Sequence, residues 1–355
     1  MDVSPLSHPR TGVGNYIRGS LAGMAEIAAP DDEVVAFAPV SRAGRREVEL
    51  ALHGLSVSRV LPVVPAAHAA RIAWSRVGRP SVERLAGRLD VFHFGDWMYP
   101  AQRGGVRSTM VHDLVPLHFP DWVHPRTRRM HGAKAKRALE SCDLVFTNSR
   151  YTADDVADTL RVPRERLRVA YPGVEETFHP EGDRTQLGRP YLLTVATLEP
   201  RKNLGALVAA YAELGEPDLA LAVVGGGGWG DVPELARPGI LPLGYTPHEE
   251  LPALYRGAES FVYPSRFEGF GMPVVEAMAC GVPCVVSSHP SLDEACGDAA
   301  VRVDPESPEA IADGVRRALA ERDELRERGL GHAARFTWRE TGRVHLDAFR
   351  EALGS

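Results

Sequence analysis

Strand-length apolar runs alternate with helix-period segments along this chain, and the alternation breaks off at 173–190 and then starts again. Neighbouring parallel strands cannot be joined by a tight turn; they need a crossover, usually a helix. Repeated strand–helix units therefore specify an α/β fold, with a parallel sheet covered by helices on both faces. At 355 residues the chain exceeds one ordinary domain, and two of about 170 residues is the natural division. The segment GVEETFHPEGDRTQLGRP at 173–190 has no apolar period and reads as a linker. The expected organisation is a doubly wound domain at 1–172, the linker, a second such domain at 191–334, and a closing segment at 335–355.

In the first half, Gly12-Val-Gly14 reads as a glycine-rich loop leading into a helix from Asn15, with Tyr16, Leu21, Met24 and Ile27 as its apolar marks. Only Asp2 and Val3 precede Ser4-Pro5, so the strand before that loop is either very short or the chain begins late. Strands are expected at 33–40, 57–64, 91–95, up to His112-Asp113, at 142–149 and at 166–174, with helices at 67–89 and 126–140. Ser149 suits a helix N-cap. A histidine at a strand end, such as His112, points into the crevice where α/β folds bind ligands. In the second half, strands are expected at 191–198, 219–224, 240–245, 260–265 and 283–287. Helices are expected at 203–214, 246–258, 307–321 and 336–353.

The net charge of −6 argues against a general nucleic-acid binder. Residues 1–175 hold 24 Lys and Arg against 19 Asp and Glu, whereas 176–355 hold 17 against 28. This asymmetry suggests that one half meets an anionic surface or substrate. RTRRMHGAKAKRALE at 126–140 is strongly basic; it reads as a solvated helix face or as a weak peripheral contact with anionic lipid headgroups. Cys142, Cys280, Cys284 and Cys296 lack a zinc spacing and read as buried thiols. No apolar run approaches the ~20 residues of a membrane span and no leader pattern opens the chain. The expectation is a cytoplasmic enzyme, or one visiting the inner face of the membrane.

The chemistry concentrates in PSRFEGFGMPVVEAMACGVPCVV at 264–286. Seven residues separate Glu268 from Glu276. Pro273 suits the first helical position and Gly281 a left-handed stop, giving a short helix from Pro273 to Cys280. Gly269 and Gly271 bare the backbone for close ligand approach, and free N–H groups at a helix start attract an anion. Glu276 would repel that anion, so it reads as an acceptor of hydrogen bonds from hydroxyls, as carboxylates are for ribose. Anion and polyol together suggest a nucleotide sugar.

Glu268-Gly-Phe-Gly-Met-Pro-Val-Val-Glu276 resembles the E-x7-E motif of retaining glycosyltransferases of family GT4, and the resemblance extends through AMACGVPCVVS. HDLVPLHFPDWVHP and LEPRKN look closest to bacterial mannosyltransferases. The resemblance implies the GT-B fold, two Rossmann-like domains facing across a cleft, with the last helix crossing back to the N-terminal domain. It implies hexose transfer from a nucleotide-diphosphate sugar, GDP-mannose first and a UDP-hexose second, to a glycan, lipid-linked or small-molecule acceptor. No cofactor is implied, and no metal, since the chain has no D-x-D. Arg201 and Lys202, in a loop between strand and helix, would meet the diphosphate. Glu276 would hold the ribose and Glu268 the hexose, with Phe270, Gly271 and Met272 offering amides to the sugar. Tyr245 and Thr246 would border the base, and Gly12 and Gly14 would complete the donor site. His112 would face the donor sugar and position it. Thr197 departs from the pattern, since many relatives carry arginine there.

Two rival readings remain. Gly225-x-Gly227-x-x-Gly230 formally matches a dinucleotide fingerprint and would suggest an NAD-dependent oxidoreductase. However, Asp231-Val-Pro233 continues it poorly as a helix. A nucleotide-sugar epimerase on the same scaffold is the nearer rival.

Overall fold

A computed structural model describes residues 1–95, 99–228 and 233–354, with the side chains of 126, 127, 134 and 137–139 outside the described set. The chain forms two compact units. Unit 1 comprises Met1–Leu114, Arg126–Gly173 and Thr337–Ser355; unit 2 comprises Val115–Pro125 and Val174–Phe336. No helix among the described residues is long and apolar enough to cross a membrane.

Among the described residues, unit 1 holds six short strands: β1 (Val35–Phe37), β2 (Ser58–Val60), β3 (Val91–Phe94), β4 (Val106–Val111), β5 (Leu144–Thr147) and β6 (Leu167–Val169). β1 pairs with β2, and β3 to β6 pair in sequence order, all in parallel. Met1–Val3 fills the gap between the two groups. Phe37 N donates to Met1 O and Val3 N to Phe37 O, both at 2.9 Å, while Asp2 N donates to His93 O at 2.8 Å. Met1–Val3 thus stands where the first strand was expected, and the sheet is stitched through it. Doubly wound order follows, with the chain reversing direction beside its own N-terminus.

Gly12 and Gly14 depart from expectation. Both lie inside the first helix, Gly12–Ile27, and neither has a positive φ. Thr11 is extended and caps the helix, and Asn15 N already donates to Thr11 O at 2.9 Å. The helix expected at 67–89 also breaks. It runs Ala67–Val77, stops at Gly78 with φ +69°, and resumes briefly at Glu83–Ala86. The basic run forms one helix, Pro125–Ser141, although the side chains of Arg126, Lys134 and Arg137 lie outside the described residues. Ser149 caps its helix as expected, accepting from Thr152 N at 2.9 Å.

The C-terminal helix, Trp338–Leu353, packs on the first helix through glycines. A Cβ on Gly19 would lie 2.1 Å from the Trp338 ring, and one on Gly23 would lie 1.7 Å from Trp338 O. From the other side, a Cβ on Gly342 would come within 2.2 Å of Gly23. Backbones this close leave no room for any side chain, so glycine is required at the crossing. His345 of this helix is fully buried, stacked on Phe146 at 4.3 Å, and its Nδ1–H donates to Thr341 O at 2.8 Å. Burial lowers its pKa to about 4.

Unit 2 holds β7 (Tyr191–Val195), β8 (Ala220–Val224), β9 (Ile240–Gly244), β10 (Ser260–Tyr263), β11 (Cys284–Ser287) and β12 (Val301–Val303). They form one parallel sheet in the order β12-β11-β10-β7-β8-β9. Leu192, Leu221, Val262 and Val285 form its dry centre, covered by Leu207, Val208, Ile311 and Val315 of the helices Leu204–Leu214 and Pro308–Ala320. The stretch 174–190 carries no helix or strand, yet Phe178 is buried against the rings of His248 and Tyr255. All four cysteines are buried and none is in a disulfide; burial pushes Cys280 up to about 12 and Cys296 to about 11, so neither is a ready thiolate.

Candidate active site

In unit 2 the winding reverses between β7 and β10, which lie side by side. Loops leaving the carboxyl ends of two such strands diverge and open a crevice. The loop after β7 carries Arg201 and Lys202, and the loop after β10 carries Glu268.

Each loop is held by its own backbone chemistry. Pro200 opens a 3₁₀ turn, Pro200–Lys202, which ends at Asn203 with φ +57°. Asparagine tolerates this left-handed conformation better than most residues. The Asn203 amide also donates to Pro264 O at 3.2 Å and Pro305 O at 2.6 Å, and Arg266 N donates to Arg201 O at 2.8 Å. The two loops are thereby tied together.

Glu268 is the focus. Its Oε1 accepts from Lys202 Nζ at 2.5 Å, Ser265 Oγ at 2.5 Å and Tyr263 Oη at 3.0 Å, and its Oε2 from Arg201 at 2.7 Å. Lys202 Nζ also donates to Tyr263 Oη at 2.6 Å, and Arg201 Nε to Glu199 at 2.8 Å. Burial alone would raise the Glu268 pKa, but Arg201 and Lys202, with hydrogen bonds from Lys202 and Ser265, hold it at about 2. Burial and the adjacent Arg201 lower that of Lys202, against the pull of Glu268. Burial and Glu268 push the Tyr263 phenol well up, so it stays protonated and donates. Arg201 and Lys202 are thus not solvated surface cations; both are anchored on one carboxylate.

The motif helix runs Met272–Ala279, one residue earlier than expected at each end, with Glu276 opening its second turn. Gly271 precedes it at φ +104°, and a Cβ there would lie 2.5 Å from Leu292. Gly281 is left-handed at φ +73°, the expected stop. Glu276 is buried and accepts from Tyr255 Oη at 3.1 Å. Phe270 is buried edge-on to Phe336 at 5.3 Å between centroids, so only its backbone can serve a ligand. Thr197 is half-buried between β7 and the Pro200 turn, and its carbonyl accepts from Glu199 N at 2.8 Å. Tyr245 is exposed just past β9, Thr246 follows half-buried, and Gly226 of the loop after β8 packs on the Tyr245 backbone.

Among the described residues, no helix follows that glycine loop. Gly225 and Gly228 have φ of +143° and +146°, and a Cβ on either would strike the carbonyl oxygen of Ala196 or Leu198 within 2 Å. The glycines permit close packing on the loop after β7, which removes the structural basis for the dinucleotide reading; Gly230 lies outside the described residues.

Thr197, Arg201, Lys202, Tyr245, Thr246, Glu268, Phe270, Gly271, Met272 and Glu276 all belong to unit 2, whereas Gly12, Gly14 and His112 belong to unit 1. His112 follows β4, its ring edge-on to Tyr16 of the first helix at 5.1 Å. Sequence reasoning missed Tyr255, Tyr263, Ser265 and Asn203. Ser265 and Asn203 sit within a few positions of the motif residues and could have been suspected. The Tyr255–Glu276 bond joins two separate helices and leaves no local trace. Among the described residues, no three His, Cys, Asp or Glu side chains are grouped to hold a metal ion.

Comparison with known proteins supplies the family. A family model described as "Glycosyl transferases group 1" matches residues 176–335, and one described as "Glycosyltransferase Family 4" matches 11–178. The chain is 30% identical to the O-antigen chain mannosyltransferase B of Escherichia coli, over 98% of each chain. It is 28% identical to the D-inositol 3-phosphate glycosyltransferase of Salinispora arenicola, over 99% of this chain and 91% of that one. Among solved structures, the sucrose-phosphate synthase of Thermosynechococcus elongatus superposes with a TM-score of 0.69 at 19% identity, over 97% of this chain and 94% of that one. HepE of Anabaena, solved with UDP-glucose, gives 0.68 at 17% identity, over 96% of each. With two doubly wound parallel units and both family regions matched, the chain belongs to glycosyltransferase family 4, as a hexosyltransferase of the GT-B class.

Proposed function

We propose that the enzyme moves a hexose, with retention of anomeric configuration and without a metal, from a nucleotide-diphosphate sugar to an acceptor hydroxyl. GDP-mannose is the first donor to test and a UDP-hexose the second; the acceptor is a glycan, a lipid-linked sugar or a small molecule. The observation that carries this reading is the Arg201–Glu268–Lys202 cluster at the strand reversal. Two cations fixed in advance on a carboxylate can meet the charge that develops on a departing diphosphate without reorganising. Preorganised electrostatics of this kind usually lowers the barrier more than any other single effect. Glu268, ionised and fixed in place by Arg201, Lys202 and Ser265, is an acceptor for a hexose hydroxyl and not a proton donor. Glu276, oriented by Tyr255, takes the ribose, and the Phe270–Met272 amides take the sugar. The base lies along Tyr245 and Thr246. His112 positions the sugar, and the leaving phosphate receives the acceptor's proton. The mannosyltransferase names of relatives favour mannose, and the UDP-glucose bound to HepE favours a nucleotide sugar in general.

The test is a thermal-shift screen of GDP-mannose, UDP-glucose and their free nucleotides, since a ligand raises the melting temperature by mass action. Radiolabelled donor is then followed with and without acceptor glycans. Acceptor-dependent nucleotide release supports transfer; an isomerised donor would point to epimerisation instead. We further propose weak contact of the helix Pro125–Ser141 with anionic lipid by a cytoplasmic enzyme, resting on exposed Arg129 and Lys136. Sedimentation with anionic vesicles at low salt, lost on charge reversal at those two positions, checks it.

A further inference from the structure

The segment Val115–Pro125 is far from unit 2 in sequence but belongs to it in space. Within it, Pro120–Trp122 forms a 3₁₀ turn in which Trp122 N donates to Phe119 O at 3.0 Å. Side chains three apart eclipse in such a turn, and here the rings of Phe119 and Trp122 stack 4.1 Å apart at an interplanar angle of 10°. Phe119 in turn stands edge-on to Phe267 at 5.5 Å, and His118 and His289 lie 6.2 and 5.2 Å from that same ring. Phe267 directly precedes Glu268, and its carbonyl accepts from Arg201 at 3.3 Å.

This cluster is not core packing. Phe119 and Trp122 are only half-buried, His118 is exposed and Leu117 is 37% exposed. By contrast, the Phe146–His345 stack of unit 1 is sealed from solvent. A proline-fixed turn that keeps a flat ring pair at the surface, braced on the residue beside Glu268, is costly unless something covers it. Flat aromatic faces suit the C–H face of a pyranose, and imidazoles at the rim can donate to or accept from its hydroxyls.

We propose that Phe119 and Trp122, with His118 at the rim, form a platform for the sugar ring of the acceptor. The acceptor is thereby a saccharide or a saccharide-bearing lipid rather than a sugar-free hydroxyl compound. This rests on the transferase reading above and assigns that reaction a second subsite. Trp122 touches the acceptor, not the reacting phosphate.

The test uses the full chain labelled with ¹⁵N at its tryptophan indoles, with Trp122→Phe assigning the Trp122 signal. With GDP saturating, α-1,3-mannobiose, cellobiose and lactose are titrated in turn to tens of millimolar. The expected result is a saturable shift of the Trp122 indole signal by at least one disaccharide. Because the variants lack the Trp122 indole, their affinity is read from saturation transfer to the disaccharide's own signals: Trp122→Ala should weaken binding about two- to tenfold, with Trp122→Phe retaining most of it. Should the Ala variant fail to fold, Trp122→Leu keeps apolar volume without a flat face and should lose affinity likewise. The platform is overturned if no disaccharide moves the signal, if GDP alone moves it as far, or if the Ala or Leu variant binds as well as the parent. Failure of the donor reading appears separately, as no change in melting temperature with GDP or UDP before any sugar is added.

Discussion

Lys202 Nζ lies 2.5 Å from Glu268 Oε1, on two side chains that each expose only 8% of their surface. Such a pair contributes little net stability against an apolar pair, but breaking it strands a charge. Glu268→Gln keeps the shape and removes the charge that holds Arg201 and Lys202 together. The variant should lose about 3–5 kcal/mol of unfolding free energy, read by denaturant melts, and most of its turnover. Native stability in this variant would mean the cluster is not the anchor of both loops.

Glu276→Ala should weaken donor binding about ten- to hundredfold, because a hydrogen bond to a charged group is worth roughly 1.5–3 kcal/mol. Tyr255→Phe should reproduce a smaller part of that loss by freeing the carboxylate. Titration calorimetry with GDP and UDP measures both, and an unchanged dissociation constant for the alanine variant refutes the ribose assignment.

On the proposed roles, in which Arg201 and Lys202 meet the phosphate charge, turnover should survive EDTA. Arg201→Ala should lower kcat more than donor affinity, because that charge grows toward the transition state. Activity abolished by chelator and restored by Mg²⁺ or Mn²⁺ would show that the cations do not suffice.

Gly23→Ala should destabilise the protein by at least about 1–3 kcal/mol through overpacking, since the new Cβ would fall 1.7 Å from Trp338 O. Gly12→Ala, with nothing within 4 Å of its Cβ, should be neutral or slightly stabilising. A calorimetric melt of the two variants distinguishes a crossing that demands glycine from a general preference.

His345 is buried neutral, with a folded pKa of about 4, below its ordinary value near 6.5. The unfolded chain therefore binds this proton more readily, and stability must rise with pH between those values. Its contribution is complete above about 6.5 and falls by up to about 3 kcal/mol on acidification to 4. His345→Phe should flatten this part of the pH–stability curve; a slope identical to the parent's would locate the titration elsewhere.

How much of this could be read from the chain depends on the range of the interaction. The second-half strands were legible because strands buried in a parallel sheet are nearly continuous apolar runs. The strand Val301–Val303 is too short to stand out, and its partner register comes only from β11. Glu268, Glu276, Gly271 and Gly281 were legible because turn and helix-end chemistry is local. The glycine pair at 12 and 14 misled as a loop, because both take ordinary helical backbone in the first turn and neither has a positive φ. The anchoring of Arg201 and Lys202 could not be read, since Tyr263, Ser265 and Glu268 meet them across more than sixty positions. The placement of 115–125 with unit 2 was hidden for the same reason.

The glycine crossing of the first and last helices bears on the order in which the molecule can be made. Unit 1 opens the chain, yet its packing around Gly19 and Gly23 is supplied by Trp338 and Gly342. On a ribosome that delivers residues from the N-terminus, this half must wait with an open groove until the final helix emerges. Most of unit 2 is already available by then. The half that is translated first is therefore completed last, and loss of the helix Trp338–Leu353 would be felt around Gly19 and Gly23 rather than in unit 2.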